Sequence, residues 1–283
     1  MSSSSSRKFP GERPVVVVVS GIISSGKSTL VKVLAKRLLD EGYRVASVPE
    51  PVKKWKDSGL LEAYYADVSR NGYLFQTVAF TDRVKANINT YQKHRGEVDV
   101  YLLERSCVDD RIFMKMLYDE KLITDLEYSS YLEWASLWQA VMPYIPDVFV
   151  YLKPSMEECM KRIKDRARPG EEGVSESYQI KLQKEHDLFF GEGALSASGT
   201  IIRTSGGAPL VDHGRPLENQ SGLGRTPSEV VESIVTVDDL FIPCFILQND
   251  SNFRDSLEHQ KEITTIFENI ITKIRVKRGE EQP

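Results

Sequence analysis

Cysteine is scarce in this 283-residue chain. Only Cys107, Cys159 and Cys244 occur, scattered and odd in number, with no C-x-x-C pair and no zinc-ligand spacing. That excludes a disulfide framework and a thiolate-bound structural metal, and it points to a reducing compartment. No apolar run approaches the length of a membrane span, so no membrane partner is expected. Neither charge sign dominates, since 37 basic and 41 acidic residues leave a net −4. A broad nucleic-acid-binding surface is therefore not expected, and any basic residues that matter are local. Residues 1–13 are Ser-rich and lack an apolar h-region, which excludes a secretory signal and reads as a disordered leader.

What is present is concentrated between Ser20 and Thr29. Gly21, Gly26, Lys27 and Ser28 stand at the spacing G-x-x-x-x-G-K-[ST]. An apolar run at 15–19 precedes them, and an amphipathic helical pattern at 30–39 follows. In that strand-loop-helix setting the glycines let backbone N–H groups close around phosphates, and the helix N-terminus adds its partial positive charge. Lys27 reaches the β- and γ-phosphates, and the Ser28 hydroxyl joins the coordination of Mg²⁺. Gly21, Ser24, Ser25, Gly26, Lys27, Ser28 and Thr29 are the candidate triphosphate contacts. The bland alternative is a small-residue turn; the intact pattern and its flanks favour a nucleoside triphosphate site.

Strand and helix signals then alternate, as a parallel sheet with helices on its faces requires. Further strands are predicted at 44–49, 98–103, 147–152 and from 244 to 247. Long helical segments are predicted at 60–95 and 109–142, with others at 156–166, 178–189 and 256–273. Together they predict an α/β fold, a doubly wound sheet of five parallel strands. Between 191 and 242 the composition turns rich in Gly, Ser and Pro. This span reads as a tolerated surface insertion between residues 14–190 and 243–275 of one domain, with room for a short helix or strand at 227–241.

Several short motifs surround the phosphate loop in sequence order. Pro49-Glu50-Pro51 and Trp55 follow the second strand; Tyr65, Phe75-Gln76, Ala79 and Arg83 lie on the next helical segment. Glu104-Arg105-Ser106 and Asp110-Arg111 follow the third strand, and Arg162-x-x-x-Arg166-x-Arg168 precedes Glu171-Glu172. A carboxylate leaving a strand end beside a phosphate loop sits in the crevice where doubly wound folds bind ligands. Glu50 there can accept a proton from a primary hydroxyl as phosphoryl transfer proceeds, or be a structural carboxylate at a Pro-bracketed turn.

Taken together these residues resemble the deoxynucleoside kinase family, the group containing deoxycytidine, deoxyguanosine and insect multisubstrate kinases. The resemblance covers most of 15–190 and resumes at 243–272. It implies a P-loop kinase fold, and a reaction in which the γ-phosphoryl of ATP or another triphosphate passes to a deoxynucleoside 5′-hydroxyl with Mg²⁺. Glu50 would be the base, Arg105 would position it, and Glu104 would help hold the metal with Ser28. Arg162, Arg166 and Arg168 would form a lid of phosphate-binding forks. Gln76 would read the base edge, with Phe75 and Trp55 as walls, while Tyr65 and Glu171 would hold the 3′-OH, Glu172 competing for that place. Asn252 and Phe253 would contact the base of the donor.

Arg83 and Asp110, with Ala79, match the deoxycytidine and purine branch and not its thymidine-accepting relatives. The resemblance therefore implies salvage of deoxycytidine, deoxyadenosine or deoxyguanosine in the cytoplasm by a homodimer. Apolar residues between 109 and 142 (Ile112, Phe113, Met116, Leu117, Leu132, Trp134, Leu137, Trp138) serve either that interface or the core. Two other classes share parts of the pattern: a nucleoside monophosphate kinase, and a non-catalytic assembly subunit. Glu50 standing where an acceptor phosphate would come argues against the first, and retention of Lys27, Glu50 and Arg105 against the second.

Overall fold

Every residue of β1 (Val15–Gly21) is buried, which places this strand at the centre of the sheet with helices on both faces. The computed structural model describes residues 14–142, 145–168, 171–191, 231–237, 240–250 and 257–280. β1 pairs in parallel with β3 (Val100–Glu104) on one side and β4 (Val148–Leu152) on the other. β2 (Val45–Val48) extends the sheet beyond β3, and β6 (Leu240–Leu247) beyond β4, both parallel. The order is β2-β3-β1-β4-β6-β5. The five parallel strands are those the sequence predicts.

β5 (Val231–Val237) is an addition, pairing antiparallel to β6 at the sheet edge. Residues 231–237 and 240–242, which composition assigns to the insertion, are thus strand within the sheet. The last parallel strand begins at Leu240 and not at 244, because Pro243 reads as a strand breaker but is tolerated inside this pairing. Residues 1–13 and 192–230 lie outside the described residues.

Successive side chains of β1 point to opposite faces and feed two separate cores. Val15, Val17 and Val19 pack with Leu30, Leu34 and Leu38 of α1 (Lys27–Asp40) and with Ile263, Ile266 and Ile270 of α9 (Leu257–Lys277). Val16 and Val18 join the larger core on the other face. That face is covered by α4 (Val68–Lys93), α5 (Arg111–Asp119), α6 (Asp125–Val141) and α8 (Glu176–Phe190), among others. Ile112, Phe113, Met116 and Leu117 are buried there, so these positions are core, whereas Trp134 and Leu137 are exposed on α6.

Both long helical segments are interrupted by caps that periodicity does not register. The first divides into α3 (Leu60–Ala66) and α4 at Asp67, whose carboxylate accepts from the Arg70 N–H at 2.9 Å. The second divides into α5 and α6 at Thr124, which forms a reciprocal capping box with Glu127. A six-residue helix, α2 (Val52–Asp57), starts directly after Pro51 and was too short for a periodic signal. α7 (Met156–Arg166) completes the set of elements that surround the site.

Candidate active site

The phosphate loop leaves β1 at Gly21, where φ is +142°. A Cβ there would stand 2.6 Å from the Leu152 carbonyl and 2.6 Å from Ser25 Oγ, so the tight exit requires glycine. Gly26, also left-handed, leads into α1. Lys27 opens that helix and turns back, its Nζ donating to the carbonyls of Ile22 at 2.7 Å and Gly21 at 3.1 Å. Burial, then the nearby Arg105 charge, lowers its pKa to about 7, although Glu50 and Glu104 pull the other way. Ser25 is buried with Oγ unpartnered among the described residues. Ser28 and Thr29 are exposed on the first turn of α1.

Two residues that sequence reasoning missed hold this loop in place. Gln179 of α8 clamps Ile23, donating to its carbonyl at 2.8 Å and accepting from its N–H at 3.3 Å. Asn249, fully buried just past β6, donates to the Ser25 carbonyl at 2.7 Å. A polar residue at the C-terminal edge of a parallel strand was the available signal for Asn249; for Gln179, mid-helix, there was none.

Glu50, at the end of the β2 segment, is surrounded by cations. Arg83 Nη2 donates to its Oε1, and Arg105 Nε lies 3.5 Å from the same oxygen. Burial resists the charge on Glu50, but Arg105, Arg83 and Lys27 together outweigh it and hold the pKa at about 2. Arg105 also donates to the Gly21 carbonyl at 2.8 Å and lies over the Phe113 ring at 4.2 Å. Its backbone is left-handed at φ +63°, a strained setting of the kind found at functional sites. The other face of Arg83 ion-pairs with Asp110, which also accepts from the Tyr131 hydroxyl at 2.7 Å. Asp110 therefore stands behind Arg83 and does not line the cleft itself.

Glu104, ending β3, has both carboxylate oxygens within 2.9 Å of the Ser28 hydroxyl. Hard oxygen donors of this kind suit Mg²⁺, which is held by one or two carboxylates with phosphates and water supplying the rest. A cage of three or more metal-ligating side chains is absent among the described residues, as such a shared site permits.

The lid arginines divide. Arg166 Nη2 and Arg168 Nη1 both pair with Glu171, the second at 2.9 Å, and all three line the cleft. Arg162 turns elsewhere, to Glu158 at 2.9 Å and to the Asn249 carbonyl at 2.8 Å. It lies one turn of α7 before Arg166, but its guanidinium is fastened to the strand end that braces the phosphate loop. Glu171, not the exposed Glu172, faces the cleft. Gly173, missed in the sequence, permits this: a Cβ there would come 2.6 Å from Tyr65 Cβ.

Trp55, Tyr64, Tyr65, Phe75, Gln76 and Tyr178 wall the same cleft, whose volume is about 400 Å³. Phe75 stacks on Tyr64 with centroids 4.5 Å apart and meets Trp55 edge-on at 5.5 Å. Gln76 is buried with its amide beside the Tyr64 hydroxyl, which also pairs with the Tyr178 hydroxyl at 2.9 Å. Burial raises the Tyr65 pKa well above the ordinary value, with Tyr64 and Glu171 adding to it. Ala79 is fully buried in the core and is not among the residues lining the cleft. Asn252 and Phe253 lie outside the described residues.

A doubly wound sheet with a phosphate loop at its switch point, opening on an aromatic cleft of this size, defines a phosphotransferase of the P-loop kinase class. The family model described as deoxynucleoside kinase matches residues 17–272. The chain belongs to the deoxynucleoside kinase family, and its members are phosphotransferases. It is 37% identical over 177 residues to a probable deoxycytidine kinase of fowlpox virus, covering 62% of this chain and 72% of that one. It is 30% identical over 238 residues to the mitochondrial deoxyguanosine kinase of Xenopus laevis, covering 77% and 88% respectively. The fold matches a solved deoxyadenosine kinase from M. mycoides, bound to dCMP and dCDP, with TM-score 0.58 and 20% identity over 91% of this chain and all of that one.

Proposed function

We propose that this enzyme transfers the γ-phosphoryl of ATP, or another nucleoside triphosphate, to the 5′-hydroxyl of deoxycytidine, deoxyadenosine or deoxyguanosine, with thymidine a poor acceptor. The observation that carries the reading is Glu50: a carboxylate kept ionised by Arg105, Arg83 and Lys27, in one cleft with the phosphate-loop lysine. The acceptor hydroxyl donates to Glu50; as its oxygen bonds the γ-phosphorus, the bond from that phosphorus to the β,γ-bridging oxygen breaks, the nucleoside diphosphate leaves, and the hydroxyl proton passes to the carboxylate. Because the transition state is loose, orientation by Arg105 and Arg83 contributes more than basicity, which a pKa of about 2 makes weak.

Lys27 faces the β- and γ-phosphates. Arg166 and Arg168, released from Glu171 when that carboxylate takes the sugar 3′-OH beside Tyr65, close on the transferring group. Ser28 and Glu104 would hold Mg²⁺, which when bound offsets phosphate charge. Gln76, which lines the cleft, would read the base edge with its amide oxygen and nitrogen. The Arg83–Asp110 pair supports rejection of thymidine, because Asp110, behind Arg83, fixes that guanidinium in one place on the cleft wall beside the base. Asn252 and Phe253 retain their proposed contact with the donor base. Cys107, Cys159 and Cys244 form no disulfide among the described residues, which supports a cytoplasmic setting. No described helix is long and apolar enough to cross a membrane. Exposed Trp134 and Leu137 on α6 support pairing as a homodimer.

The test is a coupled phosphorylation assay with ATP and Mg²⁺ across the four deoxynucleosides, run beside Glu50→Gln. Turnover of deoxycytidine or the purines with thymidine lagging, and a fall of about 10²–10⁴-fold in the variant, is expected. Thymidine as the best acceptor would reverse the base preference, and a fully active Glu50→Gln would remove Glu50 as the base.

A further inference from the structure

Lys54-Trp55 on α2 and Asp82-Arg83 on α4 are two consecutive pairs that meet across the rim of the cleft. Trp55 Nε1 donates to Asp82 Oδ2 at 3.0 Å, while Lys54 Nζ lies 2.5 Å from Oδ1. Asp82 is 8% exposed although its cationic partner is largely in water. A carboxylate that served only a surface lysine would gain nothing from burial. Its burial is explained by the indole N–H, which has to be paired where Trp55 is itself only 3% exposed.

From the geometry we infer that Asp82 is a positioning residue for the deoxynucleoside, fixing the plane of the Trp55 wall. This rests on the reading of the cleft as the deoxynucleoside site. Two fixed points define the indole: Asp82 holds its edge, and the Arg83 guanidinium lies 5.3 Å over its face. Phe75 then packs against it at 74°. The same anchor steadies the acceptor end of the site, because α2 begins two residues after Glu50, with the Val52 N–H donating to the Glu50 carbonyl at 2.9 Å. A swinging indole would loosen the base before it disturbed the chemistry, so the effect belongs in acceptor binding.

The experiment compares wild type with Asp82→Leu, Asp82→Asn and Trp55→Phe. Deoxycytidine kinetics are read together with the Trp55 indole ¹⁵N–¹H resonance, assigned by its loss in Trp55→Phe. Asp82→Leu removes the acceptor and is expected to raise KM for deoxycytidine about tenfold or more, with kcat within about threefold and KM for ATP unchanged. Asp82→Asn keeps an acceptor for the indole and is expected to stay within about threefold, with the resonance retained. If Asp82→Leu does not fold, Asp82→Ser, too short to reach the indole, carries the same expectation. In the Trp55→Phe background the Asp82 penalty should vanish. An unchanged KM in a folded variant, a loss confined to kcat, or an equal penalty in the Trp55→Phe background would each overturn the inference. A wild-type protein that phosphorylates no deoxynucleoside, and whose Trp55 resonance ignores deoxycytidine, would instead remove the site on which it rests.

Discussion

The Ser28 hydroxyl lies 2.8 and 2.9 Å from the two carboxylate oxygens of Glu104, a residue 76 positions away. The parallel register makes this meeting possible: Val19, near the end of β1, stands opposite Glu104 at the end of β3. One end of the sheet therefore presents the phosphate loop and a carboxylate side by side.

Glu104→Gln should weaken the metal dependence of phosphotransfer. The half-saturating Mg²⁺ concentration is expected to rise by about 10–100-fold, as for loss of a supporting carboxylate, with deoxycytidine KM at saturating metal little changed. The pair is partly solvated, so the melting temperature should hold. A Mg²⁺ titration of the rate decides it, and an unchanged half-saturation would take Glu104 out of the metal site.

Triphosphate binding should take up a proton at pH 8. Burial and the Arg105 charge lower the Lys27 pKa from 10.5 to about 7, so at pH 8 it is mostly neutral. A polyanion beside it restores the ammonium form, and the proton comes from the buffer. Calorimetry in two buffers of different ionisation enthalpy should give an uptake approaching one proton that disappears in Lys27→Met. The same shift opposes stability: folding disfavours the charged lysine below pH 7, and this cost fades as pH rises from about 7 towards 10.5. Equal heats in the two buffers would contradict the assignment.

Arg83→Met should act on stability, pH dependence and specificity together. It leaves Asp110 buried without its cation, and loss of about 3–5 kcal/mol is expected by denaturant unfolding. Adding Asp110→Leu should recover part of that loss, since neither charge then stands alone. In the wild type, the depressed pKa of Glu50 contributes stability that is complete above about pH 4.5 and lost as pH falls through about 2. Without Arg83 that window narrows, and the acid limb of kcat/KM should move upward because burial is then opposed only by Arg105 and Lys27. Thymidine turnover relative to deoxycytidine should rise. An acid limb that stays in place would show that Arg83 does not hold Glu50 ionised.

Local patterning alone accounts for the five parallel strands and the phosphate loop. Both are local: a doubly buried strand needs a continuous apolar run, and a loop around phosphate needs glycine and lysine at set intervals. Glu50, Glu104 and Arg105 were legible for a related reason, being polar residues at the ends of such runs, where parallel sheets bind ligands. Tertiary structure alone decided which side chains share a partner. Arg162 stands one helical turn from Arg166, yet it braces Asn249 while Arg166 and Arg168 hold Glu171. Gln179 and Asp82 sit in ordinary helical positions, and only the packing of α8 on the loop and α4 on α2 gives them work. Nor could composition place β5, because an edge strand is made by the partner it finds in β6. Local patterns record what each segment buries, whereas hydrogen bonds between distant segments depend on where the whole chain has brought them.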